Sequence, residues 1–239
     1  MGEIHDNAHG HQWRLDLVTK LIDQGLRPVL VMEQFDRENQ AVLDLALTRC
    51  PDVDCVLAKA ATPGWDWRFY RPFVQWALDK KVILLAANLS TVDVRKVMTD
   101  GFSAVFTRQA IDAYKLHQIP PELLSAQNKA IQEGHCNMLP VQAIGAMVKG
   151  QIARDVWMAS VIHGVQNQSV VLIAGNGHVR KDAGVFQWLS PEKKRITQVH
   201  GYVERADKSD ADWFDQVHTV PEVQREDPCL VFTRKPDKK

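Results

Sequence analysis

The stretch Val170-Val171-Leu172-Ile173-Ala174-Gly175-Asn176-Gly177-His178 decides the fold, because an uninterrupted apolar run passes directly into glycines and polar side chains. Such short apolar runs are typical of strands that are buried on both faces of a parallel sheet. Residues 29–32 and 82–87 form two more runs of this kind, which end at Glu33 and Asn88. Helical periodicity separates the three runs. The sequence therefore predicts an α/β fold, a three-layer and mostly parallel sheet.

The region between the second and third strands has a different pattern. Residues 92–149 show helical segments interrupted by glycine and proline and no strand pattern, which predicts a helical insertion subdomain. The α/β core domain is then residues 1–91 and 150–239. Within the core we expect helices near 13–25, 36–47 and 73–78, a long helix over 144–159, and helix remnants and loop over 51–63. Three weaker strands are expected in the tail, near 196–203, 217–220 and 230–233.

Composition limits the classes of function. The 239 residues contain 29 Lys and Arg and 29 Asp and Glu, so no overall charge favours nucleic acid or an anionic membrane. No run approaches the roughly 20 apolar residues of a membrane-spanning helix. The four cysteines lack the paired spacing of a zinc site, although Cys50 and Cys55 are close enough to form a small loop bridge.

Polar side chains follow each predicted strand. The opening decapeptide, residues 2–11, contains Glu3, His5 and two further histidines, and it resembles the loop that follows an apolar strand. Ligands of open parallel sheets bind beyond the carboxyl ends of the strands, so we expect Glu3, His5, Glu33 and His178 to share one crevice with Asn88. Carboxylates with imidazoles can bind a divalent metal, perform acid and base catalysis, or hold a ligand through hydrogen bonds. The spacing does not choose among these roles. A further interpretation is that the side chains form a purely structural polar network.

Residues 64–72 combine four aromatic side chains with Asp66, Arg68 and Arg71. A flat apolar ligand with acidic edges fits such surroundings, and the phenolate of Tyr70 is a possible ligand of ferric haem iron. Alternatively, the aromatic rings are buried against the sheet and the arginines pair with nearby acids.

Taken together, the motifs resemble those of the ChaN-like haem-binding lipoproteins, which belong to the erythromycin esterase/Tiki-like superfamily. The resemblance covers residues 2 to about 189. The matching motifs are Gly2-Glu3-Ile4-His5-Asp6-Asn7 with His11, Glu33-Gln34, residues 67–72, Ala86-Ala87-Asn88, His135-Cys136 with Leu139-Pro140, Ala153-Arg154-Asp155, and the segment from Ala174 to Arg180 with Asp182.

The resemblance implies a protein of bacterial haem and iron acquisition that holds ferric haem through a tyrosine at the interface of a homodimer. Tyr70 is the first choice of ligand and Tyr114 the second. The polar and basic candidates around the haem are His135, His178, Arg180 and Arg71.

The same resemblance implies a place in the cell envelope, as a periplasmic or outer-membrane lipoprotein, with other haem-uptake components as partners. The lipid anchor is inferred from the family alone, since no lipidation cysteine precedes Gly2. We expect a non-catalytic protein. The alternative is a metal-dependent hydrolase that uses Glu3, His5, Glu33 and His178, because the wider superfamily includes metal-dependent proteins.

Overall fold

The structure, a computed structural model, describes residues 1–227 and 229–230. Its main sheet has three parallel strands in the order β2-β1-β3, and a second parallel sheet pairs β4 with β5. The strands are β1 Val29–Asp36, β2 Leu84–Asn88, β3 Val170–Ile173, β4 His200–Val203 and β5 Gln216–Thr219. The parallel α/β fold that the sequence predicts is confirmed, and the strands of the tail form a sheet of their own.

Helices cover both faces of the main sheet. They are α1 Ala8–Asp23, α2 Gln40–Arg49, α3 Val53–Ala60, α4 Trp67–Lys80, α5 Thr91–Asp100, α6 Arg108–Ala113, α7 Pro121–Gly134, α8 Val141–Gly164, α9 Asn176–Val179, α10 Pro191–Ile196 and α11 Asp210–Trp213. No described helix is both long and apolar enough to cross a membrane.

Alternation along β1 divides the core into two layers. Val29 and Val31 pack into a cluster with residues of α5, α7 and α8, whereas Leu30 and Met32 pack into a cluster with residues of α1 to α4. Successive side chains of a strand point to opposite faces, so each cluster lies on one face of the sheet. The result is the three-layer arrangement that the sequence predicts.

Several boundaries differ from the predicted ones for local reasons. β1 continues to Asp36 because Glu33 and Gln34 are buried and hydrogen-bonded. α4 begins at Trp67, since the Asp66 side chain accepts a hydrogen bond from the Arg68 backbone N–H. Residues 51–63, expected to hold helix remnants and loop, contain α3, which Asp52 caps in the same way through the Cys55 N–H.

In the insertion, α5 to α7 and the first turns of α8 occupy residues 92–149, and the division into two domains stays a prediction.

The two predicted tail strands near 196–203 and 217–220 correspond to β4 and β5. Of the third, residues 231–233 lie outside the described residues.

The N-terminal segment, Met1 to Glu3, lies between the two sheets. The Met1 nitrogen donates to the Leu172 carbonyl oxygen at 2.8 Å on one side, and the Gly2 N–H donates to the His200 carbonyl oxygen at 2.7 Å on the other. The Asn176 N–H reaches the Glu3 carbonyl oxygen at 3.0 Å. These contacts place the Glu3 side chain next to the turn that follows β3.

Candidate functional site

Four predicted side chains meet at the carboxyl-end edge of β1 and β3, namely those of Glu3, His5, Glu33 and His178. Gly175 lies between them: its N–H donates to Glu33 Oε2 at 2.7 Å, and a Cβ atom there would lie 3.0 Å from His5 Cε1. A larger residue at position 175 would therefore press against the His5 ring. The polar loops that are far apart in sequence form one cluster.

Glu3 is the centre of the cluster. Its Oε2 atom lies 2.5 Å from Arg14 Nη1, and both side chains are almost completely buried. Its Oε1 atom receives the Tyr70 hydroxyl at 2.6 Å, His5 Nδ1 at 2.7 Å and Gln34 Nε2 at 3.2 Å. Burial alone would raise the pKa of Glu3, but the Arg14 guanidinium and the His5 hydrogen bond lower it to about 2. Glu3 is thus ionised at neutral pH, and both of its carboxylate oxygens have partners within the protein.

Tyr70 lies beneath this carboxylate and is 1% exposed. Burial raises the pKa of its hydroxyl far above the ordinary value, and the negative charge of Glu3 adds to the effect. Its ring packs edge-on against Trp65 and Trp67, with centroids 5.5 Å and 6.0 Å away. Tyr70 is therefore held as a neutral phenol that donates a hydrogen bond to Glu3.

His178 joins the cluster to helix α8. Its Nδ1 atom lies 2.6 Å from Asp155 Oδ1, and its Nε2 atom lies 3.4 Å from Glu33 Oε1. Burial opposes the charged ring, but the Glu33 and Asp155 carboxylates raise the pKa of His178 to about 10. Gln127 Nε2 donates to the second Asp155 oxygen at 3.0 Å. His178 is thus an imidazolium ion with a carboxylate at each nitrogen.

His5 is the most accessible member of the cluster, with 52% of its side chain exposed. Burial of the ring lowers its pKa, but the Glu3 hydrogen bond and the Glu33 charge outweigh this, and the net shift is upward. The Trp65 ring stands edge-on to it at 5.1 Å. Because Nδ1 is turned to Glu3, Nε2 is the nitrogen that remains for a ligand.

Two members of the cluster, Glu3 and His178, already have partners at their polar atoms. The Glu3 oxygens are shared by four donors, and the two His178 nitrogens face the Asp155 and Glu33 carboxylates. Among residues 1–227 and 229–230, no three His, Cys, Asp or Glu side chains are grouped so as to hold a metal ion.

Tyr114 lies apart from this cluster, directly after α6, and is half-buried. Its hydroxyl oxygen lies 2.9 Å from His163 Nδ1, and the Ser190 N–H donates to His163 Nε2 at 3.1 Å. Burial lowers the pKa of His163, so the ring is neutral and carries a single proton. Because Nε2 accepts from Ser190, that proton is on Nδ1 and is donated to the Tyr114 oxygen.

A family profile described as haem-binding uptake, Tiki superfamily, ChaN matches residues 1–189. The chain belongs to this family. A solved structure of ChaN from Campylobacter jejuni with cofacial haem is similar in fold, with a TM-score of 0.71 and 19% identity over 90% of this chain and 84% of that one. The type III effector HopBA1 gives a TM-score of 0.48 at 13% identity, covering 93% and 86%. An erythromycin esterase mutant in its open conformation gives 0.45 at 10%, covering 80% and 66%. No curated protein matches.

The remaining candidate residues of this ChaN family member have their described contacts elsewhere. Arg71 forms an exposed two-point pair with Asp54, at 3.1 Å and 2.7 Å. Arg180 pairs with Asp182 and lies 3.7 Å over the Trp213 ring. His135 follows α7, with Nδ1 2.8 Å from the Ile131 carbonyl oxygen.

Asn88, at the end of β2, accepts a hydrogen bond from Arg154 Nη1 at 2.5 Å. This contact ties the strand end to α8. The described partner of the Asn88 side chain is therefore Arg154, and not one of the four side chains of the cluster.

Arg14 was not expected from the sequence as a partner of Glu3. A polar residue within an amphipathic helix is normally solvated, but Arg14 lies four residues from both Gly10 and Val18 on the buried face of α1. That spacing is the signal that could have identified it. Asp155 occupies a buried position of α8 in the same way and appeared only within a matching motif. His163, as an isolated histidine, offered no signal.

Proposed function

We propose that this ChaN family protein binds ferric haem in bacterial haem and iron acquisition, with a tyrosine phenolate as the iron ligand. The family supports haem as the bound molecule. The N–H group that His163 directs at the Tyr114 oxygen supports Tyr114 as the iron ligand. A hydrogen bond donated to a phenol oxygen stabilises the ionised form. Bound haem supplies a ferric ion that favours this phenolate further.

Tyr114 is our choice among the three tyrosines of the chain. Tyr70 and Tyr202 are each 1% exposed, whereas Tyr114 is half-buried, and burial raises the pKa of all three hydroxyls. To bind iron, Tyr70 would have to release its hydrogen bond to Glu3 and leave a closed aromatic pocket. Tyr114 is half-buried, and its hydrogen bond does not have to break when the hydroxyl loses its proton, because the His163 N–H donates to the Tyr114 oxygen.

The haem lies between two copies of the chain in this proposal. Two large apolar side chains of the insertion, Met138 and Val141, are exposed, as is Val92 at its start, and they supply apolar surface for a second copy. Arg71 is the candidate for a haem propionate, since its exposed partner Asp54 is readily exchanged for another carboxylate. Roles for His135, His178 and Arg180 at the propionates stay predictions.

An envelope location is part of the proposal. Two disulfides, Cys50–Cys55 and Cys136–Cys229, support it, because disulfides persist in oxidising compartments such as the periplasm. Other haem-uptake components would then be the partners. Attachment through a lipid rests on the family alone.

Titration with hemin tests the proposal. We expect saturable binding with a shifted Soret band in the wild-type protein, Tyr70→Phe and Tyr202→Phe, and affinity at least about tenfold weaker in Tyr114→Phe. Size-exclusion chromatography should show a dimer when hemin is bound. Absence of saturable binding in the wild-type protein would reject haem as the ligand, and equal affinity in the tyrosine variants would reject Tyr114.

A second candidate function is hydrolysis by acid and base catalysis at the cluster. The half-exposed ring of His5, oriented by the Glu3 carboxylate at 2.7 Å, is the observation that favours it, since this is the arrangement of a general base. Turnover of a panel of simple esters, with and without added divalent metal, should then be lost in His5→Gln. Turnover that is absent, or unchanged in that variant, would remove this candidate.

A further inference from the structure

Two histidines of the small sheet face each other across its strands. His200 lies on β4 and His218 on β5, where the register places His218 opposite Tyr202 and diagonal to His200. His200 Nδ1 lies 3.0 Å from His218 Nε2, the ring centres are 5.3 Å apart, and the ring planes differ by only 8°. This spacing of the centres is close to the largest that such a contact between ring nitrogens allows. The two rings therefore lie end to end, nearly in one plane.

The contact requires a lone pair on one of the two facing nitrogens. Two imidazolium rings would place two protons in the same gap, so the rings share one proton in an N–H···N hydrogen bond. Burial is the main cause that lowers the pKa of both His200 and His218, which leaves both rings neutral at pH 7. Among the described residues, neither outer nitrogen, His200 Nε2 or His218 Nδ1, has a hydrogen-bond partner. The shared proton can therefore move to an outer nitrogen.

The fold holds the two rings in place. Tyr202, which is 1% exposed, stacks on His218 with ring centres 4.4 Å apart and planes that differ by 15°. Main-chain pairing of β4 with β5 keeps the strands in register from His200 to Val203. Donors that are already positioned lose little conformational entropy when a ligand binds.

The pair is accessible from the outer side of the small sheet. Both rings are half-buried, and the residues of β5 are all exposed or half-buried. On the other side of β4, the His200 carbonyl oxygen accepts from the Gly2 N–H. The hydrogen bond between the rings runs from β4 towards β5, away from that contact. The pair is thus formed entirely by residues 200–218.

The number and direction of the donors select an ion. Within residues 1–227 and 229–230, no third His, Cys, Asp or Glu side chain joins the pair to make a metal-binding group. Zinc takes four donors at tetrahedral angles, whereas the facing nitrogens of the pair lie on one line. Monovalent copper is a d10 ion that binds two donors in a straight line, and imidazole is a suitable donor for copper.

Copper fits between the rings after a small movement. Metal–imidazole bonds are about 2 Å long, so a linear ion places the two nitrogens about 4 Å apart. Because the present separation is 3.0 Å, the rings must move apart by about 1 Å. Both side chains are half-buried, so small rotations about their side-chain bonds provide this movement.

We propose that His200 Nδ1 and His218 Nε2 bind one monovalent copper ion in a linear arrangement. The ion takes the place of the shared proton, which moves through solvent to the outer nitrogen of the ring that carried it. Each ring then donates one lone pair to copper and keeps one N–H. No net proton is released, and copper is neither oxidised nor reduced. This proposal does not depend on haem binding.

Anaerobic titration of the full chain with monovalent copper, in competition with the chelator bicinchoninate, tests the proposal. We expect one bound ion per chain, and affinity at least about a hundredfold weaker in His200→Gln and in His218→Phe. X-ray absorption at the copper edge should show two nitrogen neighbours at about 2 Å in the wild-type complex. Calorimetry in two buffers of different ionisation enthalpy should give equal heats, because no proton is released.

Matched variants separate the pair from other copper ligands and from loss of folding. His218→Phe keeps an aromatic ring that stacks on Tyr202, so its Tm should lie within about 4 °C of the wild-type value. His117 is exposed and lies in the helical insertion. His117→Gln is therefore the control that should bind copper as tightly as the wild-type protein.

Three results would overturn the proposal. The first is no saturable binding up to about 10 µM free monovalent copper. The second is unchanged affinity in both His200→Gln and His218→Phe, which would place the ion elsewhere. The third is three or more nearest neighbours of the bound copper, or its displacement by an equal concentration of zinc, since either would show that the pair does not select a linear ion.

Discussion

The cluster around Glu3 and the pair formed by Tyr114 and His163 use the same kinds of side chain under opposite conditions. In the cluster, the Tyr70 hydroxyl donates to a buried carboxylate that Arg14 already neutralises. In the pair, the tyrosine oxygen receives an N–H from a neutral ring and is half-buried. Both Glu3 oxygens in the cluster have a charged partner, whereas in the pair the Tyr114 oxygen accepts a hydrogen bond that it can keep when it ionises.

The comparison shows that density of polar residues does not identify a ligand site. A buried network whose members satisfy one another resists a new ligand, because each ligand bond must replace a strong existing hydrogen bond. A single tyrosine that accepts a hydrogen bond at its oxygen has fewer strong hydrogen bonds to break when it binds a ligand. We therefore propose that the cluster mainly holds the strand ends together and that the Tyr114–His163 pair serves the iron.

The largest expected effect is on stability at the cluster. Arg14→Met leaves the Glu3 carboxylate buried without its cation, and the free energy of unfolding should fall by about 3–5 kcal/mol in urea denaturation. Arg71→Met is the control, because its pair with Asp54 is exposed and should contribute less than about 1 kcal/mol. Similar losses in the two variants would contradict the distinction between buried and exposed pairs.

The second effect is the pH dependence of stability. The pKa of His178 is about 10 in the folded protein and near 6.5 when unfolded, so its contribution is complete below pH 6.5 and is lost as the pH rises through 10. Stability should fall by about 2–4 kcal/mol between pH 7 and pH 10 in the wild-type protein. In His178→Gln the fall between pH 7 and pH 10 should be smaller by about this amount, and an unchanged slope would show that His178 is neutral when folded.

The smallest expected effect sharpens the role of the pair. His163→Phe keeps an aromatic ring but removes the N–H that is donated to Tyr114. Hemin affinity should fall about tenfold, the value of one charge-assisted hydrogen bond. The melting temperature should fall by about 2–4 °C, because the Ser190 N–H also loses its acceptor. Unchanged hemin affinity would separate His163 from the ligand site.

The main strands could be predicted from sequence because residues 29–32, 84–87 and 170–173 are continuous apolar runs. The end of β1 could not, since Glu33 and Gln34 are polar and remain in the strand only through tertiary hydrogen bonds. The short helix α3 has apolar spacing in Val53, Val56 and Ala60, but a segment of eight residues between two prolines is typical of a loop.

Glu33 and His178 were predictable because each follows an apolar run in the sequence, and the geometry of parallel sheets then brings the ends of such runs together. The partners on helices were not. Arg14 and Asp155 are charged residues inside helices, and the identity of their partners depends on packing between distant elements. For the same reason, neither the burial of Tyr70 nor the contact between Tyr114 and His163 follows from their sequence positions.

Resonance Raman spectroscopy of the hemin complexes, excited in the phenolate-to-iron charge-transfer band, tests the central claim most directly. We expect phenolate vibrations in the wild-type protein and in Tyr70→Phe, and their loss in Tyr114→Phe. Vibrations that persist in Tyr114→Phe and vanish in Tyr70→Phe would contradict this expectation, and would assign the iron to the buried cluster instead.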